Sequence, residues 1–281
     1  MKPPTTVAAA RPPYRPPTGS EFNLENIVKV GRQLPDRIAI HALQKWGKTS
    51  FAAQAPSPIF LMTRGEDGLL TLMKSGELPN NIPHFPKPAD TWVELKFALD
   101  NLIVHEHPFK TLVLDTFNGA ERLCHEYVCQ AKYDDSWEKF SAFGTGPKNA
   151  VAEIIEVLKR LDRLREKGLR IICLCHSQVK TFNNPEGPNY DRWEPVLAKE
   201  TWAVLDRWVD MILFGKFETF SEKETKSAAK GKATGGETRL LMTRHTAAYD
   251  AGNRHGLPEE IECGSSAAEA WKNFVQELRS K

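Results

Sequence analysis

Three successive residues, Gly47-Lys48-Thr49, constrain the fold of this chain more than any other feature of the sequence. They follow an apolar run at residues 37–41, which is typical of a buried strand, and they precede a predicted helix over residues 49–55 that ends at Pro56. A strand, a tight turn and a helix in this order predict the first unit of a parallel sheet covered by helices.

The same three residues end the pattern G-x-x-x-x-G-K-[ST], which in this context predicts a phosphate-binding loop, or P-loop. Gly47 has no side chain and lets the backbone approach an anion, and the helix N-terminus behind it attracts phosphate. Lys48 would then reach the β- and γ-phosphates of ATP, and the Thr49 hydroxyl would bind Mg²⁺. The other loop residues assigned to the nucleotide site are Ala42, Lys45, Trp46 and Ser50.

Ala42 departs from the pattern, which has its first glycine at this position. A Cβ atom at this position narrows the allowed turn geometry. The departure therefore strengthens the alternative that Gly-Lys-Thr stands at the start of a helix by chance. We expect this departure to reduce the rate of hydrolysis more than nucleotide binding. Two interpretations of Lys45 stay open: a second cation beside the phosphates, or a solvated side chain.

The composition favours one large intracellular domain. The 281 residues are 41% hydrophobic, which suffices for a core, and a net charge of +2 gives no global basic field of the kind that marks nucleic-acid-binding proteins. Five cysteines without a C-x-x-C pair argue against a zinc site and for a reducing compartment. The sequence shows neither a signal peptide nor a long apolar span, so we expect a cytoplasmic protein without a membrane contact.

Three regions follow from the pattern along the chain. Residues 1–22 are rich in proline and predict a disordered arm, residues 23–262 alternate strands and helices, and residues 263–281 predict a C-terminal helix packed on the core. The predicted fold class is α/β, with a mainly parallel sheet flanked by helices and a late β-hairpin. Predicted strands cover residues 37–41, 58–62, 111–114, 170–175, 209–220 and 239–244, and predicted helices cover 49–55, 90–105, 118–132, 150–167 and 199–208. Irregular segments are predicted at residues 133–148 and 177–196, and a mobile excursion at 221–236.

Polar residues follow several of these strands. Asp115 ends the third strand, where a carboxylate would hold Mg²⁺ through water. Glu66 follows the second strand and is the candidate base for the attacking water; Asp67 is the runner-up, and a solvated turn is the alternative. His176 and Gln178 follow the fourth strand, where a polar side chain can sense the γ-phosphate. An ordinary surface or core histidine is the alternative for His176.

In this order, the P-loop, Glu66, Asp115 and His176 resemble the ATPase core of the RecA/RadA recombinases. Within that superfamily the chain is most similar to phage-encoded RecA-like ATPases of single-strand annealing and recombination, in the AAA-type ATP-binding protein family. The resemblance covers residues 36–262 and includes EDGL at 66–69 and the segments at 195–214 and 239–261. The chain departs from it at Ala42, and in having His-Ser-Gln at 176–178 where RecA has Asn-Gln.

The resemblance implies a RecA-like protein that binds ATP and Mg²⁺, hydrolyses ATP and acts on single-stranded DNA. It also implies a homo-oligomeric ring or filament, with a single-strand DNA-binding protein as a further partner. The segments at 133–148 and 177–196 would face the DNA, with aromatic residues stacked on bases and basic residues on phosphates. Local packing or a subunit contact is the alternative. The candidates for DNA binding are Trp137, Phe140, Lys148, Lys180, Phe182, Tyr190, Arg192 and Trp193, together with Tyr133 and Phe143.

Arg254 or Arg244 would act as an arginine finger across a subunit interface, with a surface salt bridge as the alternative. Two other functions stay open on the sequence. One is a nucleotide-dependent adaptor, such as a helicase loader, with little hydrolysis. The other is a small-molecule kinase of the P-loop class, which is disfavoured because the sequence shows no arginine-rich lid.

Overall fold

The computed structural model describes residues 24–29, 31, 33–222 and 232–280, with the backbone alone for residues 24, 220–222 and 232–237. The chain divides into two units, residues 1–33 and residues 34–281. The described part of the first unit contains one turn of 3₁₀ helix, Leu24–Asn26. The arm predicted for residues 1–22 lies outside the described residues.

The second unit is built on a sheet to which the described residues contribute nine strands. These are β1 Arg37–Ala42, β2 Pro58–Met62, β3 Thr111–Asp115, β4 Arg170–Phe182, β5 Tyr190–Pro195, β6 Met211–Glu222, β7 Lys232–Met242, β8 Gly252–Asn253 and β9 Glu260–Glu262. The order is β2-β3-β4-β1-β6-β7-β9, with β5 paired to β4 and β8 to β6. The first five strands of that order run parallel, so their ends form a carboxyl edge and an amino edge.

Helices cover both faces of this sheet, which confirms the predicted α/β class. On one face, Leu99, Leu123 and Leu161 pack in a buried cluster with the strands, and on the other Phe51 and Phe274 do so. Each such side chain stabilises the fold by about 1.5–3 kcal/mol through burial. The helices are α1 Lys48–Ala52, α2 Gly68–Ser75, α3 Trp92–Val104, α4 Phe117–Tyr133, α5 Trp137–Ser141, α6 Thr145–Glu166, α7 Lys199–Trp208 and α8 Ala267–Arg279.

The C-terminal helix, α8, packs against the helix that follows the P-loop. Ser266 caps it, because the Ser266 hydroxyl accepts a hydrogen bond from the Glu269 N–H at 3.2 Å. The ring of Phe51 on α1 lies 5.2 Å from the ring of Trp271 and 5.9 Å from that of Phe274. The apolar face of α8 therefore buries the inner side of α1.

Residues 177–196 are largely a β-hairpin and not the irregular segment predicted from the sequence. β4 continues to Phe182 and pairs antiparallel with β5, from Ser177 opposite Pro195 to Phe182 opposite Tyr190. Polar residues on both strands obscured the alternation of apolar side chains that marks a strand. Cross-strand pairs stabilise the hairpin, including the rings of Phe182 and Tyr190, whose centroids lie 5.2 Å apart.

The segment 133–148 is also more regular than predicted. It contains α5, a 3₁₀ turn at Ala142–Gly144 and the start of α6. Ser136 caps α5 by accepting a hydrogen bond from the Lys139 N–H at 3.3 Å, and Phe140 anchors α5 in the core. A short helix held by one cap and one anchor has too little periodicity to be recognised in the sequence.

The late hairpin is longer than predicted, because β6 and β7 extend into the expected excursion at 221–236. Residues 223–231 of that excursion lie outside the described residues. Across the parts of the chain that the structure covers, no helix combines the length and the apolar character needed to traverse a bilayer.

Candidate functional site

The loop between β1 and α1 places two residues in the left-handed region, Lys45 with a φ of 61° and Gly47 with a φ of 103°. Glycine adopts this region without strain, which accounts for Gly47 as the residue that leads into α1. Ala42, by contrast, is the last residue of β1, and it pairs with His176 on one side and Gly215 on the other. A strand residue is extended, so Ala42 does not occupy a position that needs glycine, contrary to the expectation from the sequence.

Gly215 makes room for the methyl group of Ala42. A Cβ atom on Gly215 would lie 2.8 Å from the Ala42 Cβ and 2.5 Å from the Trp46 ring. Trp46 is buried, and its Nε1 donates a hydrogen bond to the Lys216 carbonyl oxygen at 3.1 Å. The Trp46 side chain thus supports the loop from the core, and any contact of this residue with a nucleotide is through its backbone.

The end of β3 meets the start of α1 at a carboxylate. Thr49 Oγ1 donates a hydrogen bond to Asp115 Oδ2 at 2.9 Å. Asp115 is only 4% exposed, and burial raises its pKa to about 6 despite the opposing effect of the Thr49 hydrogen bond. Burial also lowers the pKa of Lys48, although the charge of Asp115 partly offsets it. Lys48 Nζ lies 3.4 Å from the Ala42 carbonyl oxygen, so the lysine folds back over its own loop.

This pair of oxygen groups fits a divalent cation. A hydroxyl and a carboxylate are hard oxygen ligands of the kind that Mg²⁺ takes. The raised pKa of Asp115 shows that the desolvation of its charge is incompletely compensated, and a bound cation would compensate it. Thr49 and Asp115 would therefore hold Mg²⁺.

Glu66 and His176 meet at the same carboxyl edge. His176 Nε2 lies 2.9 Å from Glu66 Oε1, and Thr116 Oγ1 donates to the same oxygen at 3.3 Å. Burial raises the pKa of Glu66, but the hydrogen bonds from His176 and Thr116 outweigh burial and leave the pKa below its usual value. Glu66 is therefore ionised at neutral pH, which is the form that a general base requires.

The comparison with known families agrees with this geometry. Residues 34–255 match a family model described as an AAA domain. The chain belongs to the AAA domain family. AAA domains generally bind ATP and Mg²⁺, so membership indicates nucleotide binding and ATPase activity. No curated protein matches the sequence.

Polar residues that sequence reasoning missed position the site of this AAA domain. Thr63 Oγ1 accepts a hydrogen bond from the Thr116 N–H at 3.1 Å and donates to the Thr116 carbonyl oxygen at 3.3 Å. Asn118 Oδ1 accepts from the His176 N–H at 2.8 Å and so ties β4 to α4. Gly119 permits the close packing, because a Cβ atom there would lie 1.9 Å from Thr63 Oγ1. The sequence signal that could have revealed Thr116, Asn118 and Gly119 is the segment DTFNG at residues 115–119, where the third strand ends.

Helix α2, which the sequence did not reveal, borders the site. Asp67 is its N-cap residue, and a Cβ atom on Gly68 would lie 3.7 Å from Thr49 Oγ1. Ser50 is half-buried on α1, and Lys45 is exposed. Gln178 lies two residues beyond His176 on β4, opposite Glu194 of the hairpin.

The DNA-binding candidates near α5 differ in exposure. Phe143 is 97% exposed and Trp137 48% exposed, and Lys148 is exposed on α6. Phe140 is buried, with its ring 5.2 Å from His125 and 5.5 Å from Tyr133. Phe140 is therefore a core residue of the AAA domain and is not placed where it could stack on a base.

The DNA-binding candidates on the β4–β5 hairpin also divide into buried or paired side chains and side chains nearer the tip. Arg192 is buried and pairs with Asp250 and with Glu194, the latter at 3.4 Å, so its charge is neutralised within the chain and not offered to a phosphate. Trp193 packs on the core with its ring 6.2 Å from that of Phe214. The remaining candidates, Lys180, Phe182 and Tyr190, lie nearer the tip of the hairpin.

The two arginine candidates lie away from the P-loop of their own chain. Arg254 Nη1 pairs with Asp210 Oδ1 at 3.1 Å, and Asp210 immediately precedes β6 at the amino edge of the sheet. Arg244 Nε donates to the Leu257 carbonyl oxygen at 3.1 Å. The ion pair of Arg254 favours the salt-bridge interpretation over the arginine finger.

Proposed function

We propose that this AAA domain is a RecA-like ATPase that binds ATP and Mg²⁺ and acts on single-stranded DNA in phage recombination, annealing or replication. The observation that carries the proposal is the assembly of four side chains at the carboxyl edge. Thr49 contacts Asp115 at 2.9 Å and Glu66 contacts His176 at 2.9 Å. The four residues come from four different parts of the chain, because Thr49 and Glu66 follow β1 and β2, Asp115 ends β3, and His176 lies on β4.

Each residue has a separate task in the proposed hydrolysis. Lys48 would bind the β- and γ-phosphates. Thr49 and Asp115 would hold Mg²⁺, whose positive charge would act on the phosphate oxygens. Glu66 accepts a proton from the attacking water. The contacts from His176 and Thr116 both fall on Oε1, so Oε2 is the oxygen that would accept this proton. His176 would then report the state of the γ-phosphate to β4.

Exposed aromatic and basic side chains support the single-stranded DNA part of the proposal. Phe143, Trp137 and Lys148 are all exposed, and an unpaired base stacks on rings such as those of Phe143 and Trp137. A second group on the hairpin is Lys180, which is exposed and lies 3.7 Å from Glu194, with the partly exposed rings of Phe182 and Tyr190. A ring or filament of identical subunits, with a single-strand DNA-binding protein as a further partner, would bring these groups together along one strand.

Binding of a labelled oligonucleotide, followed by fluorescence anisotropy with and without ATP and Mg²⁺, tests this function. We expect salt-sensitive binding that Phe143→Ala weakens by about 5- to 100-fold, since a stacked base is worth about 1–3 kcal/mol. Phe97→Ala is the matched control, because Phe97 is 69% exposed on α3 and belongs to neither candidate group. Absence of binding in every nucleotide state would overturn the DNA role and favour the adaptor or the kinase.

Phosphate release measured on the same preparation separates the remaining alternatives. We expect steady hydrolysis of ATP alone or in the presence of oligonucleotide. ATP binding without any phosphate release would favour the adaptor with little hydrolysis. Transfer of the γ-phosphate to a small molecule would favour the kinase.

A further inference from the structure

A buried histidine joins the strand of the P-loop to the hairpin of β4 and β5. His41 is the second-last residue of β1, just before the loop that would bind phosphate, and it is 1% exposed. Its Nδ1 lies 3.0 Å from Ser177 Oγ, and its Nε2 lies 2.6 Å from the Asp250 carbonyl oxygen. Its ring stacks on Phe214 with centroids 4.7 Å apart.

The two hydrogen bonds of His41 have fixed directions. A carbonyl oxygen can only accept, so Nε2 carries the proton and donates to Asp250. Burial, with the nearby charges of Lys48 and Arg192, lowers the pKa of His41 to about 3, so the ring is neutral and Nδ1 has no proton. Nδ1 therefore accepts from the Ser177 hydroxyl.

Both partners of His41 hold the base of the hairpin. Ser177 is the residue after His176 on β4 and lies opposite Pro195 on β5. The Asp250 side chain pairs with Arg192, and the Asp250 N–H donates to the Trp193 carbonyl oxygen at 3.1 Å. The His41 side chain is thus bonded directly to β4 through Ser177, and it is linked to β5 through Asp250.

We propose that His41 is a positioning residue that couples the nucleotide state of the P-loop to the β4–β5 hairpin. The inference rests on the proposed function, since it needs a nucleotide at the P-loop. Phosphate binding orders the loop that begins after Ala42, the residue next to His41. His41 carries the resulting shift of β1 to Ser177 and Asp250, and through them to the hairpin strands that bear Lys180, Phe182 and Tyr190.

Hydrogen–deuterium exchange of the full chain tests this coupling. Exchange of the amides at residues 178–194 is followed with and without Mg²⁺ and the non-hydrolysable analogue β,γ-imido-ATP, and affinity for the analogue is titrated separately. We expect the analogue to slow exchange in the hairpin by threefold or more. His41→Phe keeps the stacking on Phe214 and loses both hydrogen bonds, so it should abolish this slowing while affinity changes by less than about fivefold.

Rescue distinguishes positioning from packing. His41→Gln restores one donor and one acceptor and should recover the slowing, which a merely structural role of the ring would not predict. If His41→Phe fails to fold, Ser177→Ala provides the same comparison by removing one bond. Analogue binding without any change in hairpin exchange would overturn the inference, as would full slowing in both His41→Phe and Ser177→Ala. Failure of the unmodified chain to bind the analogue would instead overturn the proposed function, and the coupling with it.

Discussion

Each of the two edges of the central sheet carries a basic and an acidic residue, and the pKa values of these residues are shifted in opposite directions at the two edges. At the carboxyl edge, burial lowers the pKa of Lys48 and raises that of Asp115 to about 6, so both groups are shifted toward their neutral forms. At the amino edge, burial alone would raise the pKa of Asp210 and lower that of Arg37. The hydrogen bonds and ion pair between them outweigh burial, and both groups are shifted toward their charged forms.

The direction of these pKa shifts distinguishes a candidate ligand site, where the charges are uncompensated, from a structural ion pair, where they are compensated. Asp210 accepts from Arg37, Arg165 and Arg254 at 3.0–3.4 Å, so its charge is satisfied within the chain. Asp115 has no comparable cationic partner within salt-bridge distance among the described residues, and its hydrogen bond comes from the neutral Thr49. We therefore expect a cation and phosphates to compensate these charges at the carboxyl edge.

The largest expected effect concerns the base at the carboxyl edge. Glu66→Gln should slow ATP hydrolysis by about 10²- to 10⁴-fold without loss of ATP binding, because the amide cannot accept the proton of the attacking water. Phosphate release and nucleotide titration measure the two quantities. Asp67→Asn tests the runner-up for the base and should hydrolyse ATP at the original rate. Equal rates for Glu66→Gln and the unmodified chain would assign the base elsewhere.

The same substitution at the two edges should change stability in opposite directions. Without nucleotide, Asp115→Asn should raise the free energy of unfolding by about 1–3 kcal/mol above pH 6, because it removes a desolvated charge that the folded chain disfavours. Asp210→Asn should lower it by about 1–3 kcal/mol, because its arginine partners lose their counter-charge. Urea denaturation at pH 7.5 measures both. Changes of the same sign would remove the contrast between the edges.

The pH dependence of stability tests whether His41, which lies near the carboxyl edge, is held neutral in the folded chain. The folded pKa of about 3 lies below the ordinary value of 6.5, so between these values the unfolded chain binds a proton that the folded chain does not. Stability is then full above pH 6.5 and falls as the pH decreases, by about 2 kcal/mol at pH 5. We expect denaturation curves at pH 7.5 and pH 5 to show this loss in the unmodified chain and a loss smaller by that amount in His41→Gln. An equal loss in both would show that His41 is not held neutral.

The smallest effect is expected at Arg254. This side chain is 60% exposed, so Arg254→Ala should lower the free energy of unfolding by no more than about 1 kcal/mol and leave ATP hydrolysis within about twofold. Measured rates and denaturation midpoints check both. A loss of hydrolysis near 10³-fold with ATP binding retained would restore the arginine finger across a subunit interface.

Local patterns predicted the regular elements well. The strand at Pro58–Met62 and the helix at Lys199–Trp208 have the bounds expected from the sequence, because the residues that define them are adjacent. The hairpin of β4 and β5 was missed, because its buried members depend on partners far along the chain. Arg192 pairs with Asp250, and Trp193 packs on Phe214. No periodicity within residues 177–196 contains that information.

The sequence predicted which residues form the candidate site, but it did not predict which neighbouring side chains are exposed. Residues at the ends of parallel strands meet at one edge of a sheet, so the strand pattern placed Asp115 opposite the P-loop. The resemblance to RecA-like ATPases added Glu66 and His176 to the group, and the case for His176 depended on the strand order. Exposure could not be predicted in this way: Phe140 and Phe143 are three residues apart, yet the first is buried and the second is 97% exposed. The effect of Ala42 also depended on Gly215, which only the pairing of β1 with β6 brings alongside it.

Titration of the full chain with ATP in the presence of Mg²⁺ tests the central claim most directly. The unmodified chain should bind ATP, and Lys48→Ala should weaken binding by at least about 100-fold, because it removes the cation that meets the phosphates. Lys159→Ala is the matched control on α6, where Lys159 pairs with Glu156 on the surface, and it should bind as the unmodified chain does. Undiminished binding by Lys48→Ala would contradict the assignment of the carboxyl edge as a nucleotide site.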